Sequence, residues 1–225
     1  MATRNMKKVI ECACSHNHGR SPLAEAFARK RLAQVGALDF EVISTGTEVA
    51  RADGMLAGTV DCPAEWYDII VDINQKRGIY DAQTADALRA VMKPENFGPD
   101  QKRYVNEAMR LSLVRFFDEE HEHRAEAFRK FDLGEPKQTR DETKAREDVV
   151  LFLGMGPDHT EFTEGLYKTR VHTPIIQTLS GYATRLPGLK FKNSYGGTSQ
   201  EYLEMAEVIR DLTFKSVDRA VQEIK

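Results

Sequence analysis

The feature that most constrains this chain lies within its first fifty residues. Lys7-Lys8-Val9-Ile10-Glu11-Cys12-Ala13-Cys14 reads as a short strand running into a polar, glycine-containing turn. Ser21-Pro22 then opens a helix, with proline in the first turn, where its missing N–H costs nothing. Leu23, Ala26, Phe27 and Leu32 continue at helical spacing, and Lys30-Arg31 place positive charge toward the C-terminal end. Phe40-Glu41-Val42-Ile43-Ser44-Thr45 follows as a second strand closed by Gly46. Strand, turn, helix, strand is the opening of an α/β sheet with parallel strands.

The remaining segments extend that reading. Val149-Val150-Leu151-Phe152-Leu153-Gly154 is a continuous apolar run, expected to be a buried parallel strand. Weaker strand signals lie at Arg170–Ile175 and Leu189–Lys192. Near the end, Tyr202, Met205, Ala206, Ile209, Val217 and Ala220 form an apolar stripe with charged residues between them, predicting a long amphipathic helix. Between Asp72 and Asp148 the character changes. Ala82–Met92 predicts a helix broken by the Pro94 to Pro99 segment. Arg103–Lys130 predicts a second, densely charged one, and a polar stretch runs from Gly134 to Glu147. There is no internal repeat and no low-complexity tract.

A length of 225 residues suits one domain with an elaboration, and 41% hydrophobic with 30% charged residues excludes a mostly disordered chain. The net charge of -3 provides no global attraction to nucleic acid or an anionic membrane, so neither is expected as a partner and any anion site must be local. No apolar run approaches the length of a membrane span, and the first residues do not read as a signal peptide. Three cysteines, Cys12, Cys14 and Cys62, make no disulfide framework, and Cys12 with Cys14 would make a poor bridge. A reducing cytoplasm is the expected location. His121-Glu122-His123 resembles a metal tract only superficially. At helical spacing the two rings diverge by about 200°, so a solvated charged face is expected, with no metal and no cofactor.

The candidate site is the turn Cys14-Ser15-His16-Asn17-His18-Gly19-Arg20-Ser21. A cysteine six residues before an arginine, between strand and helix, has a physical logic. The five residues between them can curl so that successive backbone N–H groups point inward as an anion cradle, and the helix adds its positive N-terminal end. Arg20 can grip two oxygens of a phosphate-like group with its planar fork. The same positive elements favour a Cys14 thiolate, which can attack phosphorus and form a cysteinyl-phosphate. Ser21 can hydrogen-bond that sulfur as it departs.

At these residues the chain resembles the low-molecular-weight phosphotyrosine protein phosphatases, a family that includes related arsenate reductases. The family signature Cys-x-x-Asn-x-x-Arg-Ser is matched by Cys14, Asn17, Arg20 and Ser21, and its common continuation by Pro22-Leu23-Ala24-Glu25-Ala26. Ser44-Thr45-Gly46-Thr47 stands where the family has Ser-Ala-Gly-Thr, and Tyr195-Gly196-Gly197 with Tyr202 resembles the segment after its Asp-Pro loop. The likeness covers roughly residues 7–60 and 148–225. It implies an α/β fold with a central four-stranded parallel sheet flanked by helices, in a single domain over 1–225. Residues 94–147 exceed the family's usual length and are expected to be a helical insertion. Such an insertion could cap the active-site rim, restrict substrates, meet a second subunit, or simply pack on its own domain.

The resemblance implies hydrolysis of a phosphorylated protein or small phosphomonoester, with phosphotyrosine as the family substrate. Cys14 would be the nucleophile, Arg20 the clamp and Ser21 the partner of the thiolate. Asn17 would hold the loop, since asparagine tolerates a left-handed backbone. The amides of Ser15, His16, Asn17, His18, Gly19 and Arg20 would bind the phosphate. The departures are as informative. Alignment on Tyr195-Gly196-Gly197 puts Asn193-Ser194 in place of Asp-Pro, whose aspartate is the family's general acid, and asparagine cannot donate that proton. Loss of general acid catalysis typically costs about 10²–10⁴-fold, so a carboxyl restored at Asn193 is expected to raise the rate. His16 replaces a usual glycine, and Gly19 stands where many members carry a second cysteine. His16 and His18 could contact substrate, shuttle a proton, or point to solvent. Asp158 could be a replacement acid or an ordinary helix N-terminal residue. Two alternatives remain beside the phosphatase: a catalytically weak phosphate- or phosphoprotein-binding module, and a thiol-linked arsenate reductase drawing on an external thiol.

Overall fold

The computed structural model describes residues 7–91, 93, 97–137, 139–186 and 197–224. Four strands, β1 (Lys8–Cys14), β2 (Phe40–Gly46), β3 (Val149–Gly154) and β4 (Ile175–Thr178), form one parallel sheet in the order β2-β1-β3-β4. The sequence expectation of a four-stranded parallel sheet flanked by helices holds. Between β1 and β2 runs α1 (Arg20–Val35), and between β3 and β4 runs α6 (Pro157–Tyr167). After β2 come α2 (Val49–Leu56), α3 (Ala64–Lys76), α4 (Ala82–Val91) and the 33-residue α5 (Pro99–Phe131). The chain closes with α7 (Leu179–Thr184) and α8 (Ser199–Glu223).

The period-2 alternation of the strands decides which face meets which layer. Ile10, Cys12 and Cys14 of β1, with Leu151 and Leu153 of β3, enter the main core beside Leu23 and Phe27 of α1 and Tyr202, Ala206 and Ile209 of α8. Cys12 and Cys14 therefore share a face, both as free thiols, but two strand residues set them about 6.6 Å apart along the chain. Burial pushes the Cys12 thiol far up and keeps it protonated. Glu11 and Phe152 lie between these positions and take the opposite face of the sheet.

A second cluster forms outside the sheet, from Ala52 and Met55 of α2, Trp66 and Ile70 of α3, and Leu113 and Phe116 of α5. The last turns of α5 belong instead to the main core through Ala127 and Phe128. This one helix thus bridges the two clusters. It begins at Pro99 rather than Arg103 because Gly98 and Pro99 supply a cap and a first-turn proline. The polar return after it hooks onto β2, where Gly46 N–H donates to Asp141 O at 2.8 Å and Thr143 N–H donates to Gly46 O at 2.8 Å.

Two strand expectations change. Only Ile175 of the Arg170–Ile175 stretch is in β4, because Pro174 has no N–H to pair in a ladder. The Leu189–Lys192 signal lies outside the described residues. Helix α3 went unanticipated, although Trp66, Ile70 and Ile73 recur at helical spacing behind Pro63.

Candidate active site

The turn between β1 and α1 is closed by side chains that its own sequence supplies. Asn17 adopts a left-handed backbone at φ 48°, and its Nδ2 donates to Ser44 O at 3.0 Å, tying the loop to β2. Gly46 is the floor. A Cβ there would fall 2.7 Å from both Asn17 N and Ser15 O, so the loop can lie on β2 only above a glycine. Thr47 N–H and Glu48 N–H donate to Cys14 O and Ser15 O at 3.0 and 2.8 Å, which fixes the strand-end side of the turn.

The Cys14 sulfur lies 3.0 Å from Ser21 Oγ. Ser21 Oγ also faces two acceptors, Asn17 Oδ1 at 3.0 Å and Thr45 O at 3.1 Å. The hydroxyl has one proton to give. With the thiol protonated, that proton can go to either oxygen while sulfur donates to Ser21. With a thiolate, the hydroxyl can turn to the sulfur without moving any heavy atom. Gly19 caps the start of α1 without a side chain, leaving the first N–H groups open to an anion from the loop side. Arg20 opens that helix, and its charge reaches His16, His159, Glu120 and Tyr202.

The two loop histidines do not point to solvent. His16 is buried, with its ring 5.0 Å from Trp66 and 5.5 Å from Phe117 between centroids, and 3.7 Å from the Glu48 carboxylate. His18 packs on Phe117 at 4.8 Å and donates Nε2–H to Phe117 O at 2.9 Å. Burial depresses His16 to about 3 and His18 to about 4, helped by Arg140 beside the first and Arg124 beside the second. Both are neutral near pH 7, so neither is a ready acid there. Asp158 sits in the first turn of α6 with its side chain 74% exposed. His159 beside it is buried, with Nε2 3.2 Å from Ser15 Oγ, and burial holds its pKa near 4.

Helix α5 carries groups the loop sequence does not announce. Arg124 is buried, donates to His18 O, and meets His121 Nδ1 through Nη2 at 3.0 Å. The expected solvated face at His121-Glu122-His123 is only partly so, since His123 lies 5.7 Å from the Tyr202 ring. Glu120 fills the space beside Gly19. A Cβ at Gly19 would run into its carboxylate, and would stand 3.1 Å from the Tyr202 hydroxyl. From the polar return, Arg140 stacks over Phe117 at 4.8 Å and pairs with Asp53. Cys14, Ser15, His16, Asn17, His18, Gly19, Arg20 and Ser21 are thus gathered in one place, whereas Asn193 lies outside the described residues. Among the described residues no group of His, Cys, Asp and Glu is arranged to hold a metal ion, and no helix is long and apolar enough to cross a membrane.

No protein-family model and no curated protein sequence matches this chain. Solved structures do match it along nearly its whole length. YfkJ from Bacillus subtilis aligns with a TM-score of 0.57 at 13% identity, covering 99% of this chain and 100% of that one. A low-molecular-weight protein tyrosine phosphatase from T. tengcongensis aligns at 0.54 and 17% identity, covering 95% and 99%. The YwlE arginine phosphatase from Geobacillus stearothermophilus aligns at 0.52 and 12% identity, covering 96% and 94%. The chain has the fold of the low-molecular-weight protein tyrosine phosphatases. At these identities the likeness concerns the fold, and the loop geometry is this chain's own.

Proposed function

We propose that the protein is a cysteine-dependent phosphatase that hydrolyses phosphomonoesters through a cysteinyl-phosphate on Cys14. The observation that carries this reading is the Cys14–Ser21 contact of 3.0 Å at the uncapped head of α1, beneath a loop held open by Asn17. A phosphate seated in the loop would meet the amides of Ser15 to Arg20 and the Arg20 fork, with sulfur behind phosphorus and the ester oxygen leaving on the far side. Ser21 would stabilise the sulfur as it leaves phosphorus in the second step. The His16 ring, tilted against Trp66 and edge-on to Phe117, gives the loop an aromatic flank, which favours a flat aryl ester such as phosphotyrosine over an alkyl one.

The rival reading, a phosphate-binding module without turnover, is favoured by Asn193 and by the near-complete burial of Cys14, at 4% exposure. Turnover of 4-nitrophenyl phosphate separates the two. The wild-type protein is expected to release nitrophenol and Cys14→Ser to lose it, by about 10⁴-fold or more, while still binding vanadate or phosphate. Binding without turnover in the wild type would select the module instead.

A further inference from the structure

We propose that Glu120, carried to the loop by α5, is the general acid and base of this reaction and stands in for the carboxyl that Asn193 lacks. The inference rests on the phosphatase reading above and adds to it the residue that handles the proton.

Position is the first argument. Glu120 extends its carboxylate into the volume that a side chain at residue 19 would occupy, one residue before Arg20 and five after Cys14. A glycine at 19 leaves that volume open, and the carboxylate takes it up. Two departures from the family pattern, the missing side chain at Gly19 and the missing acid at Asn193, are thereby explained by one residue.

The surroundings are the second. Arg20 from α1 and Arg124 from α5 bring positive charge to Glu120, and the Tyr202 hydroxyl from α8 faces it. Cys14 at the end of β1 lies close enough to influence Arg124 and Tyr202, and His121 on α5 contacts Arg124. Tyr202 is 1% exposed, yet its hydroxyl has no hydrogen-bond partner among the described residues, and neither does Arg124 Nε. Buried polar groups are almost always satisfied. Two orphans beside one carboxylate and one anion cradle fit the oxygens of a bound substrate.

The other carboxyls and imidazoles near the loop are less suited. Asp158 is largely exposed, and Glu48 is engaged with His16 at 3.7 Å and Arg51 at 3.9 Å. Glu11 lies on the other face of the sheet, and the three histidines are neutral near pH 7. Glu120 itself is raised to about 7 by desolvation, against the opposing pull of Arg20 and Arg124. An acid titrating near the working pH is well matched to proton transfer in both directions.

The step balances. The thiolate of Cys14 forms the S–P bond as the P–O bond to the leaving group breaks, and Glu120 gives its proton to the departing oxygen, releasing an alcohol or phenol. The Glu120 carboxylate then takes a proton from water as water attacks phosphorus. The S–P bond breaks, phosphate leaves, and the thiolate and the protonated carboxyl are restored.

The test is a leaving-group series of 4-nitrophenyl phosphate, phenyl phosphate and phosphotyrosine, with wild-type protein, Glu120→Gln, Glu120→Asp and the double variant Glu120→Gln/Asn193→Asp. Glu120→Gln should lose about 10²–10³-fold in kcat on phenyl phosphate and phosphotyrosine, and far less on 4-nitrophenyl phosphate, whose leaving group needs little protonation. Glu120→Asp should retain part of the rate, and the double variant should regain part of it. Wild-type kcat on phenyl phosphate should fall as pH rises above about 7, and Glu120→Gln should lack that limb. An equal loss across the series with an unchanged pH profile would reduce Glu120 to a structural role and overturn the proposal. A rate increase in Glu120→Gln would show a carboxylate that blocks the cradle, which also overturns it. The wild-type pH profile needs no variant to fold, and a flat profile to pH 9 counts against Glu120. No turnover of any ester by wild-type protein would instead sink the phosphatase reading itself, an outcome distinct from an active enzyme indifferent to Glu120.

Discussion

The loop at residues 14–21 and helix α5 meet at the same spot but are built in opposite ways. The loop is made of consecutive residues, and its geometry comes from short-range requirements: a left-handed Asn17, a serine at the first turn of α1, a glycine floor at Gly46. Helix α5 contributes one face of a 33-residue rod, with Phe117, Glu120 and Arg124 brought in from about a hundred residues downstream. Its position depends on two separate apolar anchors, Met109 to Phe117 in the second cluster and Ala127 with Phe128 in the main core. A site assembled this way has a fixed half and a half that depends on packing elsewhere. In the proposed reading the phosphate grip falls to the first half. The proposed substrate walls and proton transfer fall to the second.

The comparison breaks most directly at the second cluster. Phe116→Ala removes a buried ring and is expected to cost about 3–5 kcal/mol. Hydrogen exchange should show faster amides over residues 64–117 while β1 and β3 keep their protection. Equal loss of protection in the sheet would show that the two clusters unfold as one. On the loop side, Arg20→Lys keeps the charge but loses the planar fork. Turnover should fall by about 10²–10³-fold with the melting temperature nearly unchanged, whereas unaltered vanadate inhibition would show that the guanidinium is not the clamp.

A third prediction concerns a buried carboxyl on the far face of the sheet. Glu11 is fully buried, accepts from Thr45 Oγ1 at 2.6 Å, and has no hydrogen-bond partner on Oε2 among the described residues. Burial raises it from 4.5 to about 7. The folded protein holds this proton where the unfolded chain has already released it. Stability present below pH 4.5 is therefore lost as pH rises through 7, by about 3 kcal/mol from this group. Glu11→Gln should flatten that decline, and urea melts of both proteins at pH 5 and pH 8 would read it. An identical pH dependence in the variant would mean that Glu11 is solvated in the folded state. The smallest effect is expected at the loop floor, where Gly46→Ala should cost about 1–3 kcal/mol by overpacking and lift Asn17 off β2, reducing vanadate affinity as well. Full affinity with lowered stability would separate the floor from the cradle.

Legibility followed the same division. The strand–turn–helix–strand unit, the β3 run and the stripe of α8 were readable because each rests on local period and turn chemistry. So were Cys14, Asn17, Arg20 and Ser21, which sit within eight residues. His16 and His18 were readable as part of the turn but not as neutral rings, one buried and one half-buried, because their cover comes from Trp66 and Phe117 on other helices. Glu120 looked like one more charge on a charged helix, and nothing in the sequence singled out His159. A faint signal existed: within the charge-dense stretch, Leu113, Phe116 and Phe117 mark the face of α5 that had to be covered.

The sequence by itself determined β1, β2, β3 and the loop with its cysteine, asparagine, arginine and serine, because residues a few positions apart are held by covalent geometry and short hydrogen bonds. Only the tertiary structure decided which distant side chains close over that loop. Apolar burial has no direction of its own, so the chain could specify that α5 must be covered without specifying which charged residue the covering would bring to Gly19.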